Sequence, residues 1–168
     1  MKSAYINLSG AYGLQQSGTA DYREASEIVA EMDRLGIYQT VLECIEGNNS
    51  LYRNRRLLRD MQTIPDAKRR IIPSFILDPV ASIQTGAMDE ILHMIRDNRP
   101  CCISLYPRAS GYRLRLADLF LDRPELRNAV ILIDINQLIA SEACDDLIEL
   151  SARYPEMRRS EERRVGKE

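Results

Sequence analysis

Residues 129–135 read AVILIDI, and this short stretch decides the fold class. Six of its seven residues are apolar, so the segment does not alternate between a polar and an apolar face. A continuous apolar run of this length is typical of a strand that is buried on both faces in a parallel sheet. Parallel strands need crossover connections, which are usually helices. The stretch therefore predicts an α/β fold, in which the rest of the chain alternates strands with helices.

The chain before and after this strand shows the expected alternation. Apolar or β-branched runs are separated by apolar stripes at helical spacing, and this pattern repeats five times. The predicted strands are one that ends near Ser9 and then residues 38–45, 70–78, 101–107 and 129–135. The predicted helices cover residues 20–35, 51–62, the segment around 88–95, 116–121 and 141–154. Strand–helix units of this kind form a parallel sheet with right-handed crossovers.

Composition and charge are those of an ordinary globular protein. The chain has 168 residues, of which 45% are hydrophobic, and its net charge is -2 with both signs interspersed. Nothing in this balance favours nucleic acid. The first ten residues lack the apolar core of a secretory signal, and no stretch has the roughly 20 apolar residues of a membrane span. We therefore expect a cytoplasmic protein, whose four cysteines lack the CxxC spacing of metal sites.

The last ten residues, RSEERRVGKE (159–168), differ from the rest of the chain. Seven of the ten are charged, and no apolar periodicity remains. With permitted codons the stretch can be reverse-translated to AGA TCG GAA GAG CGT CGT GTA GGG AAA GAG, which resembles a common sequencing adapter. We therefore expect residues 159–168 to be a non-native, disordered tail, and residues 1–158 to be the N-terminal part of a longer protein.

The order and spacing of the segments resemble the first part of an amidohydrolase-related TIM barrel. The segments that carry the resemblance are AYINLSGAYG, EMDRLGIYQTVL, GNNSLYRNRRLL, RRIIPSFILDP, EILHMIRDN, ISLYPRASGY, VILIDINQL and DDLIELSARYPEM. A complete barrel of this type has about 250 residues and eight strands. The resemblance implies a partial TIM (β/α)8 barrel, with about five parallel βα units in sequential order and the helices on the outer face.

The resemblance also implies a metal site, and this sequence departs from it. In the family, a His-x-His pair at the end of the first strand binds a divalent metal such as zinc. The matching residues here are Asn7 and Ser9, or Tyr5 and Asn7 in the alternative register, and neither pair contains an imidazole. Strand five ends near Asp134, where the family has another histidine. We therefore expect no metal cofactor, and Asn7 and Ser9 either bind substrate by hydrogen bonds or simply end the strand in polar residues.

The candidate site residues are polar side chains at the carboxyl ends of the predicted strands, where parallel barrels place their sites. Glu43 and Asp134 are candidates for a catalytic acid–base pair. Arg108 is suited to an anionic substrate group, because its guanidinium is a planar fork of donors. The candidates for substrate binding are Asn7, Ser9, Tyr106, Arg108 and Asn136. The basic loop that contains Arg108, Arg113 and Arg115, with Tyr112 between them, is interpreted as solvated surface.

The resemblance implies an amidohydrolase-like hydrolase or lyase that acts at the barrel mouth on a small substrate, which can be anionic. The missing histidines leave open a non-catalytic binding protein for small molecules on the same barrel. A complete flavodoxin-like domain, with strand order 2-1-3-4-5 and helices on both faces, is the third alternative. The expected partner is a small-molecule substrate, without nucleic acid or membrane, and a homo-oligomer of the full-length protein is left open.

Overall fold

The computed structural model describes residues 5–13, 22–127, 129–138, 141–155 and 158–162. The chain divides into two compact units, residues 1–75 and 76–168, and the division falls within the third strand. The strands are β1 (Tyr5–Tyr12), β2 (Ile37–Cys44), β3 (Ile71–Leu77), β4 (Cys102–Leu105), β5 (Val130–Asp134) and β6 (Arg158–Glu162). The α-helices are α1 (Ala25–Leu35), α2 (Ser50–Gln62), α3 (Ala67–Arg70), α4 (Pro79–Ile83), α5 (Ala87–Asp97), α6 (Asp118–Leu121) and α7 (Ser141–Arg153). Short 3-10 helices occupy Leu114–Ala117, Pro124–Leu126 and Ile135–Leu138.

In the first unit, β1, β2 and the start of β3 are parallel neighbours in sequence order. Thr40 of β2 lies opposite Asn7 of β1 on one side and Ile71 of β3 on the other. The register between β1 and β2 shifts after Asn7, because Gly10 lies opposite Leu42. Three steps along β1 therefore match two steps along β2, which is the signature of a β-bulge.

The helices of the first unit cover one face of these strands. At the start of α1, the Glu27 carboxylate accepts a hydrogen bond from the Glu24 backbone amide at 3.1 Å, and the helix ends at Gly36, whose φ of 71° is left-handed. At the start of α2, the Asn49 side chain accepts a hydrogen bond from the Tyr52 amide at 2.8 Å. The buried core between helices and strands includes Tyr12, Ile28, Met32, Leu42, Cys44 and Leu57.

In the second unit, β4, β5 and β6 are also parallel neighbours in sequence order. The residues of β4 from Cys102 to Leu105 pair one by one with those of β5 from Val130 to Ile133, without a bulge. Helix α5 buries Ile91 and Ile95 completely, and burying an apolar side chain of this size contributes about 1.5–3 kcal/mol. Among the described residues, no helix combines the length and the apolar composition that crossing a membrane requires.

The α/β class and the parallel pairing of neighbouring strands are confirmed within each unit, and all five predicted strands are present. The first strand is longer than predicted, because it continues through the bulge to Tyr12 instead of ending near Ser9. The short helices α3 and α4 were not predicted.

The start of the predicted tail also differs from the expectation. Residues 158–162 form β6 and pair with β5, whereas the sequence predicted disorder from residue 159. Backbone pairing explains the difference, because the N–H and C=O groups at a strand edge pair with an extended segment whatever its side chains are. Residues 163–168 of the predicted tail lie outside the described residues.

Candidate functional site

The second unit contains a cavity at the carboxyl ends of β4 and β5. Its volume of about 380 Å³ falls in the range of small-molecule sites, about 300–1,000 Å³. Segments after β4 and after β5 form its wall together with α7, and the lining includes Pro107, Arg108, Tyr112, Gln137, Glu142 and Asp146. The carboxyl ends of parallel strands are where α/β folds bind their ligands. The cavity is therefore the candidate functional site of this unit.

Arg108 lies on an exposed turn at the wall of this cavity. Its Nη1 donates a hydrogen bond to the backbone carbonyl of Asn136 at 3.3 Å, and the amide of the next residue, Ala109, donates to the Gln137 side chain at 3.0 Å. These two bonds join the loop after β4 to the loop after β5. In the part of the chain that the structure describes, no carboxylate forms an ion pair with Arg108.

Arg113, on the same wall, differs from Arg108 because it pairs with carboxylates. Its Nη2 donates to the Asp146 carboxylate at 3.0 Å, and its Nη1 lies 3.7 Å from Glu142. The other oxygen of Asp146 accepts a hydrogen bond from the Arg115 backbone amide at 3.2 Å. Burial acts to raise the pKa of Asp146, but the bonds from Arg113 and Arg115 outweigh it, so that the pKa lies below its usual value. Asp146 is therefore an ionised, fully engaged structural carboxylate.

Tyr112 contributes its side chain to the same wall and buries its hydroxyl. Burial raises the pKa of this phenol, the nearby carboxylate of Asp78 raises it further, and the Tyr106 backbone opposes the rise in part. The hydroxyl oxygen has no hydrogen-bond partner of normal geometry among the described residues. The Asp78 carboxylate itself caps α4, because it accepts a hydrogen bond from the Ala81 amide at 3.0 Å. The phenol therefore stays neutral at physiological pH.

Four residues of the predicted site belong to this unit, and the structure brings two of them into contact. Arg108 bonds the backbone of Asn136, as described above. The Asp134 carboxylate accepts a hydrogen bond from the Asn136 amide at 2.8 Å, so that it closes the turn after β5. Tyr106 follows β4 directly and is half-buried. Of these four residues, Arg108 lines the cavity.

The other predicted site residues belong to the first unit. Asn7 lies in the middle of β1 opposite Thr40, and the backbone of Ser9 falls within the bulge, while its side chain lies outside what the structure describes. Glu43 is 6% exposed near the end of β2. Its neighbours in sequence, Leu42 and Cys44, belong to the helix-side core, so the Glu43 side chain points to the opposite face of the sheet. The predicted pairing of Glu43 with Asp134 joins the two units and stays a prediction.

The sequence did not reveal a partly buried polar cluster at the carboxyl ends of β1 and β2. The Tyr12 hydroxyl donates to Asp60 at 2.9 Å, and Nε of Arg56 donates to the same carboxylate oxygen at 3.2 Å. Arg56 also pairs with Glu46 and lies 3.7 Å from Glu24, and its guanidinium stands 5.8 Å from the centre of the Tyr12 ring. One signal was available, since Arg56 and Asp60 are spaced i, i+4 on the predicted helix.

Burial and the neighbouring carboxylates together determine the pKa shifts of Tyr12 and Arg56. Burial is the main cause that raises the pKa of Tyr12, and neighbouring Cys44 and Asp60 add to the rise. For Arg56, burial acts to lower the pKa, but the bonds to Glu46 and Asp60 prevail and raise it. Both groups therefore keep one charge state at physiological pH. The cluster has the character of a structural ion-pair network.

The resemblance to a barrel family stays a prediction, and so does the expected absence of a metal cofactor. Asn7, which that resemblance placed at a metal-ligand position, has an amide side chain and lies before the bulge, away from the strand end at Tyr12. Among the described residues, no group of three or more His, Cys, Asp and Glu side chains could hold a metal ion.

Comparison of the chain with models of known protein families, with curated proteins and with solved structures found no match.

Proposed function

We propose that the cavity of the second unit binds a small molecule through its carboxylate, and that Arg108 holds that group. The difference between the two arginines of the wall carries this proposal. Arg113 is engaged by Asp146, whereas Arg108 bonds a backbone carbonyl among the described residues. A guanidinium has five N–H donors in a planar fork that matches a carboxylate in two-point geometry. Most of the Arg108 donors are therefore available to a ligand.

The turn that carries Arg108 is ordered by its own backbone, which supports the proposal. The Ser110 amide donates to the Tyr106 carbonyl at 2.9 Å, and the Tyr112 amide donates to the Pro107 carbonyl at 2.9 Å. A ligand would therefore find the guanidinium on a preformed turn, and less conformational entropy would be lost on binding.

We further propose that the strands form part of an amidohydrolase-like (β/α)8 barrel with hydrolase or lyase activity on a small, anionic substrate. The parallel, sequential strands of each unit and the position of the cavity at the strand ends support this proposal. Glu43 and Asp134 are the proposed acid–base residues. A non-catalytic binding protein is the second candidate, and the bond from the Asn136 amide to Asp134 favours it, because that bond holds the carboxylate in its own turn.

Binding of 3-phenylpropionate to the full chain tests the carboxylate proposal. Hydrogen bonds to charged groups contribute about 1.5–3 kcal/mol, so Arg108→Gln should weaken binding by about 10- to 100-fold in a titration followed by ligand-detected NMR. The neutral analogue 3-phenylpropanamide should bind the unchanged chain as weakly as the acid binds the variant.

The matched control is Arg127→Gln, which removes an exposed arginine of the same unit outside the cavity and should leave the Kd unchanged. Equal affinity of the acid for the Arg108→Gln variant and the unchanged chain would contradict the proposal, as would equal binding of the acid and its amide.

A further inference from the structure

We infer that the ligand of this cavity is a zwitterion, a carboxylic acid that also carries an ammonium group, as an apolar amino acid does. The inference rests on the proposed binding of a carboxylate by Arg108. It extends that proposal, because it assigns the second charge of the ligand to Glu142.

The wall of the cavity carries two acidic side chains, Asp146 and Glu142, which differ in their hydrogen-bond and ion-pair partners. Asp146 is 4% exposed, and both of its oxygens accept hydrogen bonds, at 3.0 Å from Arg113 and at 3.2 Å from the Arg115 amide. Glu142 has 71% of its side chain exposed, and the nearest cation among the described residues, Arg113, lies 3.7 Å from it, beyond normal hydrogen-bond distance. An ammonium group that enters the cavity therefore meets Glu142 as the acceptor with spare capacity.

Charge balance leads to the same assignment. Arg113 is neutralised chiefly by Asp146, its closer partner, which leaves Arg108 and Glu142 as one positive and one negative group on the same wall. A simple carboxylate would neutralise Arg108 alone, and a simple amine would neutralise Glu142 alone. A zwitterion neutralises both without adding net charge to the cavity.

The rest of the wall fits the apolar side chain that extends away from the two charged groups of such a ligand. Pro107, Leu114 and Ala143 are apolar, and Tyr112 contributes the side chain whose hydroxyl is buried. Small-molecule sites combine such apolar surface with a few polar groups that fix the orientation of the ligand. L-phenylalanine therefore represents the ligand class, and 3-phenylpropionate is the same molecule without the ammonium group.

The experiment compares L-phenylalanine with 3-phenylpropionate on the full chain by ligand-detected NMR titration. Because exposed ion pairs contribute about 0.2–1 kcal/mol, L-phenylalanine should bind about 1.4- to fivefold more tightly. Glu142→Gln should abolish this preference without weakening the binding of 3-phenylpropionate, because it removes a negative charge from the wall that receives the carboxylate. Glu149→Gln is the matched control, since Glu149 lies on the same helix, is 63% exposed and pairs with Arg153 outside the cavity. This control should retain the preference.

The outcomes separate the two proposals. If 3-phenylpropionate binds through Arg108 and L-phenylalanine binds no more tightly, the zwitterion is refuted and the carboxylate site stands. The zwitterion is also refuted if Glu142→Gln keeps the preference or if Glu149→Gln loses it. If neither probe binds, both proposals fail. Glu142→Gln should also leave the melting temperature unchanged, because Asp146 is the closer partner of Arg113, and a large drop would refute the assignment of Glu142 to the ligand.

Discussion

Replacement of Arg56 by glutamine tests how strongly the partly buried polar cluster stabilises the first unit. The Arg56 side chain is 11% exposed and pairs with three carboxylates, of which Asp60 is the most buried. Breaking a buried ion pair by removing one partner costs about 3–5 kcal/mol. Asp60 keeps 18% exposure and its bond from the Tyr12 hydroxyl, so part of this cost is relieved. We therefore expect a loss of about 2–4 kcal/mol in the free energy of unfolding.

Urea unfolding at pH 7, followed by far-UV circular dichroism, measures this loss. The matched control is Arg59→Gln on the same helix, because Arg59 also faces Asp60 but is 68% exposed and lies 3.6 Å from it. Exposed pairs of this kind contribute about 0.2–1 kcal/mol. The reasoning is refuted if the two substitutions cost the same, or if Arg56→Gln costs less than about 0.5 kcal/mol.

Two further predictions concern a glycine and a carboxylate. Gly13 has a φ of 104°, and a Cβ there would lie 2.5 Å from Cβ of Glu46. Gly13→Ala should therefore lower the urea midpoint more than Gly36→Ala, where φ is also positive but the space is open; equal losses would show that the close contact relaxes freely. The pKa of Asp146 is lower in the folded state than in the unfolded state. The ionised carboxylate therefore contributes fully to the free energy of unfolding above the unfolded pKa of about 4, and this contribution is lost as the pH falls through the lower folded pKa. Asp146→Asn should lower the free energy of unfolding at pH 7. Between about pH 5 and pH 3, the free energy of unfolding of the variant should decrease less steeply with falling pH than that of the unchanged chain, and equal slopes would rule out this carboxylate as a source of acid sensitivity.

The strands were predictable because each one leaves a local signal in the sequence. The apolar run at 129–135 corresponds to β5 at Val130–Asp134. The end of β1 was not predictable, since Gly10 reads as a turn residue in the sequence. In the structure Gly10 lies inside the strand, where a Cβ would be 3.1 Å from Oγ1 of Thr40 and 3.2 Å from the Val41 carbonyl. A single sequence does not distinguish a glycine that is required because a neighbouring strand lies close to it from a glycine that is required by a turn.

The candidate site was predictable in part. Arg108 follows β4 closely, and strand ends can be located from the sequence, so its place at the cavity wall could be expected. The engagement of Arg113 could not be expected, because its partner Asp146 is 33 residues away and lies on a helix with several other acidic residues. Tertiary packing decides which arginine of the loop pairs with a carboxylate. Arg113 forms such a pair, and Arg108 bonds a backbone carbonyl instead.

The two units use arginine differently: Arg56 of the first unit stabilises the fold, and Arg108 of the second unit is available to bind a ligand. Arg56 is largely removed from water, so folding requires carboxylates around it, and the structure supplies three. Arg108 is exposed and keeps its hydration in the folded state, so folding requires no carboxylate partner for it. The desolvation cost of Arg108 then arises when a ligand covers it, and a ligand carboxylate offsets that cost. Arg108→Gln should therefore weaken binding while lowering the free energy of unfolding by no more than about 1 kcal/mol, the contribution of one exposed bond to the Asn136 carbonyl. A larger loss of stability together with the loss of binding would mean that the main role of Arg108 is to hold the two loops together, and it would refute the assignment of its donors to a ligand.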